Sequence, residues 1–227
     1  MQKDTAILLF SRSAAGEARE KNFAGHMNKR LNGKIAKGFY KSACDTAISA
    51  NLSLHIINEH HQKGETFGEK LSNAIEEVFN IGYEKLIVIG NDCPQLTVAH
   101  IEKAAHALDN NNVVLGPDNH GGVYLIGLTK NVFTKEVFET KQWQTASLFN
   151  QLQSLYFEET FFQLPQLADV NTFEDLKSIK DSLPATHKLK ALVISLLASL
   201  DKAMPGLHIF YSDLSCLLLP LRAPPVY

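Results

Sequence analysis

The plainest signal along the chain is a series of short apolar runs set between stretches of helical periodicity. Ala6-Ile-Leu-Leu-Phe10 is apolar at every position, as a strand buried on both faces requires. Leu52–Ile57 and Lys85-Leu-Ile-Val-Ile-Gly90 read as two further strands, the latter the clearest in the sequence. Lys34–Ala50 carries Ile35, Phe39, Ala43 and Thr46/Ala47 at helical spacing. Phe67–Ile81 does the same with Phe67, Leu71, Ala74/Ile75 and Val78/Phe79. Thr97 opens a helix to Leu108, with Ile101, Ala104, Ala105 and Leu108 in register but no Glu or Gln to complete a capping box. Val113–Leu115 and Val123–Gly127 read as strands joined by a tight Asn/Gly turn. Thr172–Lys180 reads as another helix, and Ser11–Lys21 as a loop.

Strands and helices alternating at these lengths predict an α/β fold: an open, mainly parallel sheet with helices on both faces. Such sheets bind ligands outside the carboxyl ends of their strands. The loops after Phe10, Gly90 and Gly116 are therefore the first places to look for chemistry.

Composition narrows the class. The chain has 227 residues, 45% hydrophobic and 20% charged, an ordinary globular balance. The length suits one α/β domain over residues 1–183 and an extension over 184–227, predicted helical. A formal charge of −2 argues against a non-specific nucleic-acid partner. Cys44, Cys93 and Cys216 are spaced for neither a disulfide framework nor a zinc site. The N-terminal apolar run is too short for a signal segment and Ala191–Leu200 too short to span a bilayer, so a cytoplasmic location and no membrane partner are expected. In the extension, Leu192, Ser195/Leu196 and Ser199/Leu200 share a helical face. That face packs on its own domain or on a second subunit of a homodimer, and the apolar run Leu214–Leu219 needs a core or a partner.

The chemistry-bearing residues follow the strands. Ile89-Gly-Asn-Asp-Cys-Pro94 puts Asp92 just past the clearest strand, where a carboxylate can hold Mg²⁺ or Mn²⁺ against phosphate oxygens. Taken alone, Asp92 reads first as a turn or cap residue. Leu115-Gly-Pro-Asp-Asn-His-Gly-Gly-Val-Tyr-Leu-Ile-Gly-Leu128 follows, its Gly121-Gly122 pair allowing close ligand approach or simply turning a hairpin. In Asp169-Val-Asn-Thr-Phe-Glu-Asp-Leu176, Asp169 and Asn171 offer metal oxygens, while Thr172 with Asp175 reads as a helix cap.

These motifs, in this order, resemble the GT-A-type nucleotide-diphospho-sugar transferase-like family labelled selenodomain-associated transferase 1, distantly similar to molybdenum-cofactor and phospholactate guanylyltransferases. That family reads roughly F-A-K-A-P-x-x-G-x-x-K-T-R-L, then G-x-D-x-P, then G-P-A-x-D-G-G-Y-Y-L-I-G-L, then D-V-D-T-x-x-D-L. The match runs from Leu8 to about Leu176; Phe67-Gly-Glu-Lys-Leu71 resembles the family's L-G-E-R-L, and Trp143 falls where the family has tryptophan. The resemblance implies a three-layer α/β/α Rossmann-like GT-A fold with a mainly parallel mixed sheet. It implies a nucleotide or nucleotide-sugar substrate and an unidentified acceptor. Phe10, Arg12 and Gly16 of the first loop, Asn91 and Pro94, and Gly116, Pro117, His120, Gly121 and Gly122 then surround the nucleotide. Mg²⁺ or Mn²⁺ sits on Asp92 with Asp169 or Asn171, and Arg19 and Lys21 hold the leaving pyrophosphate.

Three departures qualify this. The first loop, Phe10-Ser-Arg-Ser-Ala-Ala-Gly-Glu-Ala-Arg-Glu-Lys21, is one residue short and lacks the family's prolines and K-T-R threonine; its cations are Arg12, Arg19 and Lys21, with Glu17 and Glu20 among them. His120 replaces the Asp before Gly-Gly, with Val123 for Tyr, and Asn171 replaces the second Asp of D-V-D-T. Two functions stay open: a metal-dependent nucleotidyl- or glycosyltransferase, with the basic loop favouring nucleotidyl transfer, and a catalytically degenerate nucleotide- or protein-binding relative.

Overall fold

A computed structural model describes residues 3–24, 29–185 and 187–203. In chain order the elements are β1 (Lys3–Phe10), α1 (Ala14–Glu20), α2 (Lys29–Ser49), β2 (Ser53–Ile57), α3 (Phe67–Asn80), β3 (Tyr83–Ile89) and α4 (Val98–Ala107). They continue with β4 (Val113–Pro117), β5 (Val123–Thr129), a 3₁₀ turn at Lys130–Val132, α5 (Lys135–Glu139), α6 (Leu148–Leu155), β6 (Phe161–Gln163), α7 (Phe173–Ser182) and α8 (Lys188–Ala203). The strands form one sheet in the order β2-β1-β3-β5-β4-β6. β1 runs parallel to β2 and β3, and β4 to β6, while β5 is antiparallel to both β3 and β4. With helices on both faces, this is the expected three-layer α/β/α Rossmann-like arrangement around a mixed sheet.

The central strands explain their own composition. Along β1, Ala6, Leu8 and Phe10 enter a core with Leu71, Ile75 and Val78 of α3. Ile7 and Leu9 face the other way, onto Ala47 of α2 and Ile101 and Ala104 of α4. Side chains alternate across a strand, so burial on both faces leaves no position for a polar residue. Each large aliphatic side chain buried this way contributes about 1.5–3 kcal/mol of transfer free energy. A third cluster lies away from the sheet, where Phe23, Leu31, Ile35 and Phe39 meet Leu176 and Ile179 of α7 and Leu189 and Val193 of α8.

The structure departs from the sequence reading in the first loop. Residues 14–20 form α1, because Ser13 sits in extended backbone and its hydroxyl accepts from the Gly16 N–H, an N-cap that starts a helix. α5, α6 and the three-residue β6 lie in a stretch for which no element was expected. At Thr97 the histidine His100 supplies the group that a capping box takes from Glu or Gln, its Nδ1 accepting from the Thr97 N–H at 3.2 Å. α8 packs on α2 at Gly38, where an added Cβ would lie 2.6 Å from a Leu192 methyl and 3.0 Å from a Leu189 methyl. Leu214–Leu219 and the rest of 204–227 lie outside the described residues, as do the side chains of Leu196, Ser199 and Leu200. Among the described residues no helix is long and apolar enough to cross a membrane.

Candidate functional site

The carboxyl ends of β1 and β3 open into a cleft of about 670 Å³, walled by α3, the β4–β5 turn, the 141–146 loop and the chain around Asp169. Three loops meet there and are fastened to one another. The Val170 N–H donates to the Asp92 carbonyl at 2.9 Å, and the Ala168 N–H to the Gln95 side chain at 2.6 Å. The Asp169 N–H donates to the Asn119 side chain at 2.9 Å. Residues far apart in sequence are thereby held at fixed spacing.

At the centre is Lys21, the residue that ends α1. Its ammonium lies 2.9 Å from Asp92 Oδ2 and 2.9 Å from Glu17 Oε1, and it donates to the Val170 carbonyl at 3.5 Å. Burial pulls its pKa down, but the charges of Asp92, Glu17 and Asp169 outweigh this and hold it above the ordinary lysine value. It is a fixed cation. Its position depends on buried Asn32 of α2, whose amide donates to the Lys21 carbonyl at 2.7 Å and the Ala18 carbonyl at 2.8 Å, and whose oxygen accepts from the Phe23 N–H at 2.7 Å.

Asp92 and Asp169 behave as an opposed pair. Burial raises the Asp92 pKa, but Lys21 overrides it and holds the group ionised below the usual carboxylate range. Burial first, and then the charge of Asp92, push Asp169 up to about 8. One Asp169 oxygen accepts from the Asn171 amide at 2.6 Å; the other, Oδ1, is buried with no hydrogen-bond partner.

Ser11 Oγ and Asn91 Nδ2 are likewise buried without partners, and both residues line the cleft. They follow β1 and β3, whose parallel register pairs Leu9 with Ile89, so the two side chains stand side by side at the sheet edge. Orphaned polar atoms are uncommon in folded proteins, and several on the residues lining one cleft mark it as a ligand-binding floor. Among the described residues no three His, Cys, Asp or Glu side chains cluster as metal ligands. The Asp92 carboxylate and the orphaned Asp169 oxygen are nonetheless hard-oxygen donors of the kind Mg²⁺ or Mn²⁺ takes, with Asn171 beside them.

Of the residues read from sequence, Phe10, Arg12, Lys21, Asn91, Asp92, His120, Gly122, Asp169 and Asn171 line the cleft together. Gly16, Arg19, Pro94, Gly116, Pro117 and Gly121 are not among its lining residues. Gly16 is packed inside α1 against the Glu59 carboxylate. Arg19 is 70% exposed and pairs with Glu59 at 3.8 Å. An added Cβ on Gly116 would strike the Tyr124 ring. Gly121, at φ 85°, lets the turn pass close to the Ala146 carbonyl, a left-handed backbone that glycine adopts without strain. The His120 ring faces Asp175 at 3.6 Å, and Asp175 also caps α7, accepting from the Asn171 and Thr172 N–H groups at 3.0 and 2.9 Å. The cap reading of Thr172 and Asp175 therefore holds alongside the placement of Asp169 and Asn171 in the cleft.

Sequence reasoning missed Glu17, Glu59 and Asp118. Glu59, just after β2, accepts from both the Ser13 hydroxyl (2.6 Å) and its N–H (2.5 Å). Asp118 is buried at the head of the β4–β5 turn, where Oδ1 accepts from the His120 and Gly122 N–H groups at 2.7 and 2.9 Å. The sequence held a signal for it: the carboxylate absent at position 120 has a counterpart two residues earlier, at Asp118. Cys93 is an inert neighbour, because burial and the adjacent Asp92 push its thiol well above the usual range.

Set against solved structures, the three-layer α/β/α fold is similar to that of proteins described as nucleotide-diphospho-sugar and nucleotidyl transferases. A candidate nucleotide-diphospho-sugar transferase from Desulfovibrio desulfuricans G20 superposes with a TM-score of 0.76 at 20% identity, over 89% of this chain and 98% of its own. The 4-diphosphocytidyl-2C-methyl-D-erythritol synthase of Anaerococcus prevotii DSM 20548 gives a TM-score of 0.51 at 11% identity, over 77% of this chain and 94% of its own. At these identities the likeness establishes fold alone. Residues 35–145 match the family described as "Uncharacterized protein conserved in bacteria (DUF2064)". That stretch takes in the Asn91-Asp92 loop, the Gly116–Leu128 hairpin and Trp143, so the expected family resemblance is shown there; the first loop and the Asp169 segment lie outside it. Among curated proteins no sequence matches.

Proposed function

We propose that this protein is a metal-dependent transferase that draws on a nucleotide donor, a nucleoside triphosphate or a nucleotide sugar, bound in the cleft at the carboxyl ends of β1 and β3. The observation that carries the reading is the convergence of Asp92, Asp169 and buried Lys21 on a cleft whose floor holds unpartnered polar atoms. Asp92 and Asp169, with Asn171 behind them, would hold Mg²⁺ or Mn²⁺, which on binding neutralises phosphate charge. Lys21 is locked as a cation beside them and stabilises negative charge building on a leaving phosphate without having to reorganise. The Asn91 amide offers a hydrogen-bond donor to the donor's oxygens, and the fastened loops keep these groups at fixed distance.

Nucleotidyl transfer from a triphosphate is the first reading, supported by a fixed cation within reach of the metal position. Glycosyl transfer from a nucleotide sugar is the second, and the charge balance of the first loop favours it. Arg12 faces Glu20 at 3.9 Å, Arg19 faces Glu59 at 3.8 Å, and Lys21 faces Glu17 and Asp92. A loop so matched attracts a diphosphate with its metal more readily than a bare triphosphate. A thermal-shift screen of nucleoside triphosphates and nucleotide sugars, with and without Mn²⁺, separates the readings, because a ligand bound to the native state raises the melting temperature by mass action. A Mn²⁺-dependent shift is expected, and Asp92→Asn should erase it; an equal shift in Asp92→Asn would remove Asp92 from the site.

A further inference from the structure

The side of the cleft formed by α3 and the 141–146 loop differs chemically from the Lys21 side, and nothing in the donor reading uses it. Phe67 and Lys70 stand one helical turn apart on α3 and both line the cleft. The Phe67 ring lies 5.6 Å from that of Phe10 and 5.7 Å from that of Trp143, so an aromatic wall runs from the end of β1 to the far loop. Trp143 is held in place, its indole N–H donating to the Phe138 carbonyl at 3.0 Å and its ring packed 4.7 Å from Phe138.

Lys70 is the cation that this wall leaves unused. Arg12 and Lys21, which also line the cleft, both face carboxylates. Among the described residues, no ion pair or hydrogen bond reaches the Lys70 ammonium. The adjacent Glu69 feels the Lys70 charge but forms no ion pair with it, its carboxylate capping α3 by accepting from the Glu65 and Thr66 N–H groups at 2.7 and 3.2 Å. A second observation points to a ligand in this cleft: the Ser11 hydroxyl, in a residue more than nine-tenths buried next to Phe10, has no partner.

We propose that Phe67, Lys70 and Trp143, with Ser11 at the floor, form the subsite for the acceptor, a small molecule with an apolar, ring-like face and an adjacent phosphate or carboxylate. The name acceptor rests on the transferase reading; the anion-plus-ring chemistry of the subsite does not. Lys70 pairs with the anion, the aromatic wall covers the apolar face, and Ser11 donates to an oxygen between them. The acceptor is thereby held across the cleft from Asp92 and Lys21, leaving the donor its own side.

Titration calorimetry with phenyl phosphate on the full chain tests this, with benzoate and inorganic phosphate as companion probes. Phenyl phosphate should bind more tightly than inorganic phosphate, and benzoate should show whether a carboxylate suffices. Lys70→Met should weaken phenyl phosphate binding roughly tenfold, as expected for a lost charge-assisted contact to an anion, and Lys70→Arg should restore most of it. Saturating nucleotide with Mn²⁺ should leave phenyl phosphate bound. Binding unchanged in Lys70→Met, or no binding by the wild type, overturns the subsite. Displacement of phenyl phosphate by nucleotide overturns its assignment to the acceptor and gives Lys70 to the donor. Asp92→Asn keeps the two ideas apart: if it retains full Mn²⁺-dependent nucleotide binding while phenyl phosphate still depends on Lys70, the donor reading falls and the anion subsite stands.

Discussion

At the scale of single residues, the candidate site is a balance of buried charges, and two residues set it. Asn32 touches no ligand position, yet its three hydrogen bonds at 2.7–2.8 Å fix the end of α1 and with it Lys21. Replacing it with Ala leaves the Phe23 N–H and two carbonyls without their partner, at about 1–3 kcal/mol for an unsatisfied buried group. Asn32→Ala should therefore lower the denaturation midpoint and also weaken nucleotide binding, whereas a purely structural role would change only the first. Asp169 gives the pH dependence. Its folded pKa, about 8, lies above the ordinary 3.8, so the native state holds a proton there that the unfolded chain has released. The stability this proton confers is complete below about pH 4 and is lost progressively as pH rises towards 8. Asp169→Asn cannot ionise. Its melting temperature should gain on the wild type from pH 5 to pH 8.5 without metal; a difference independent of pH would show that Asp169 does not hold the proton.

At the scale of elements, strands and long helices were legible because burial dictates their sequence. β1 and β3 are apolar on both faces, and α3 carries a complete apolar stripe behind a Thr66–Glu69 capping box. α1 was not legible, since its buried positions are Gly16 and Glu17, with no apolar stripe. Glu17 can be buried only because Lys21 lies one turn further on, and that pairing becomes visible only once the helix exists. β6 was missed because it is three residues long and takes its hydrogen bonds from β4. The contact between α2 and α8 likewise turns on an absence, the missing side chain of Gly38. Gly38→Val would drive methyl groups into Leu189 and Leu192, an overpacking that costs about 1–3 kcal/mol. The expected result is earlier loss of α8 protection in hydrogen exchange, with β1 and β3 unchanged. Uniform loss across the chain would mean that α8 and the sheet unfold together.

At the scale of the whole molecule, topology put Lys21 and Asp92 on one sheet edge, because the ends of β1 and β3 lie there, while Asp169 was joined to them only through the family resemblance. The sequence could not show which cations remain free, because Glu59 and Glu20 meet Arg19 and Arg12 only through the fold. Nor could it show that the cleft floor is under-satisfied. The unpartnered Ser11 hydroxyl, Asn91 amide and Asp169 oxygen each hold the ligand-free protein at a cost of about 1–3 kcal/mol, which a bound ligand would relieve. Function and stability then oppose each other at these positions. Ser11→Ala removes a buried hydroxyl that has nothing to bond to, without adding volume. It should raise the melting temperature of the protein by about 2–4 °C for each kcal/mol of that cost recovered in a chain of this size, and reduce the further rise on adding ligand. A Ser11→Ala protein less stable than wild type would mean that the hydroxyl already has a partner, such as an ordered water, and the floor would then be satisfied before any ligand arrives.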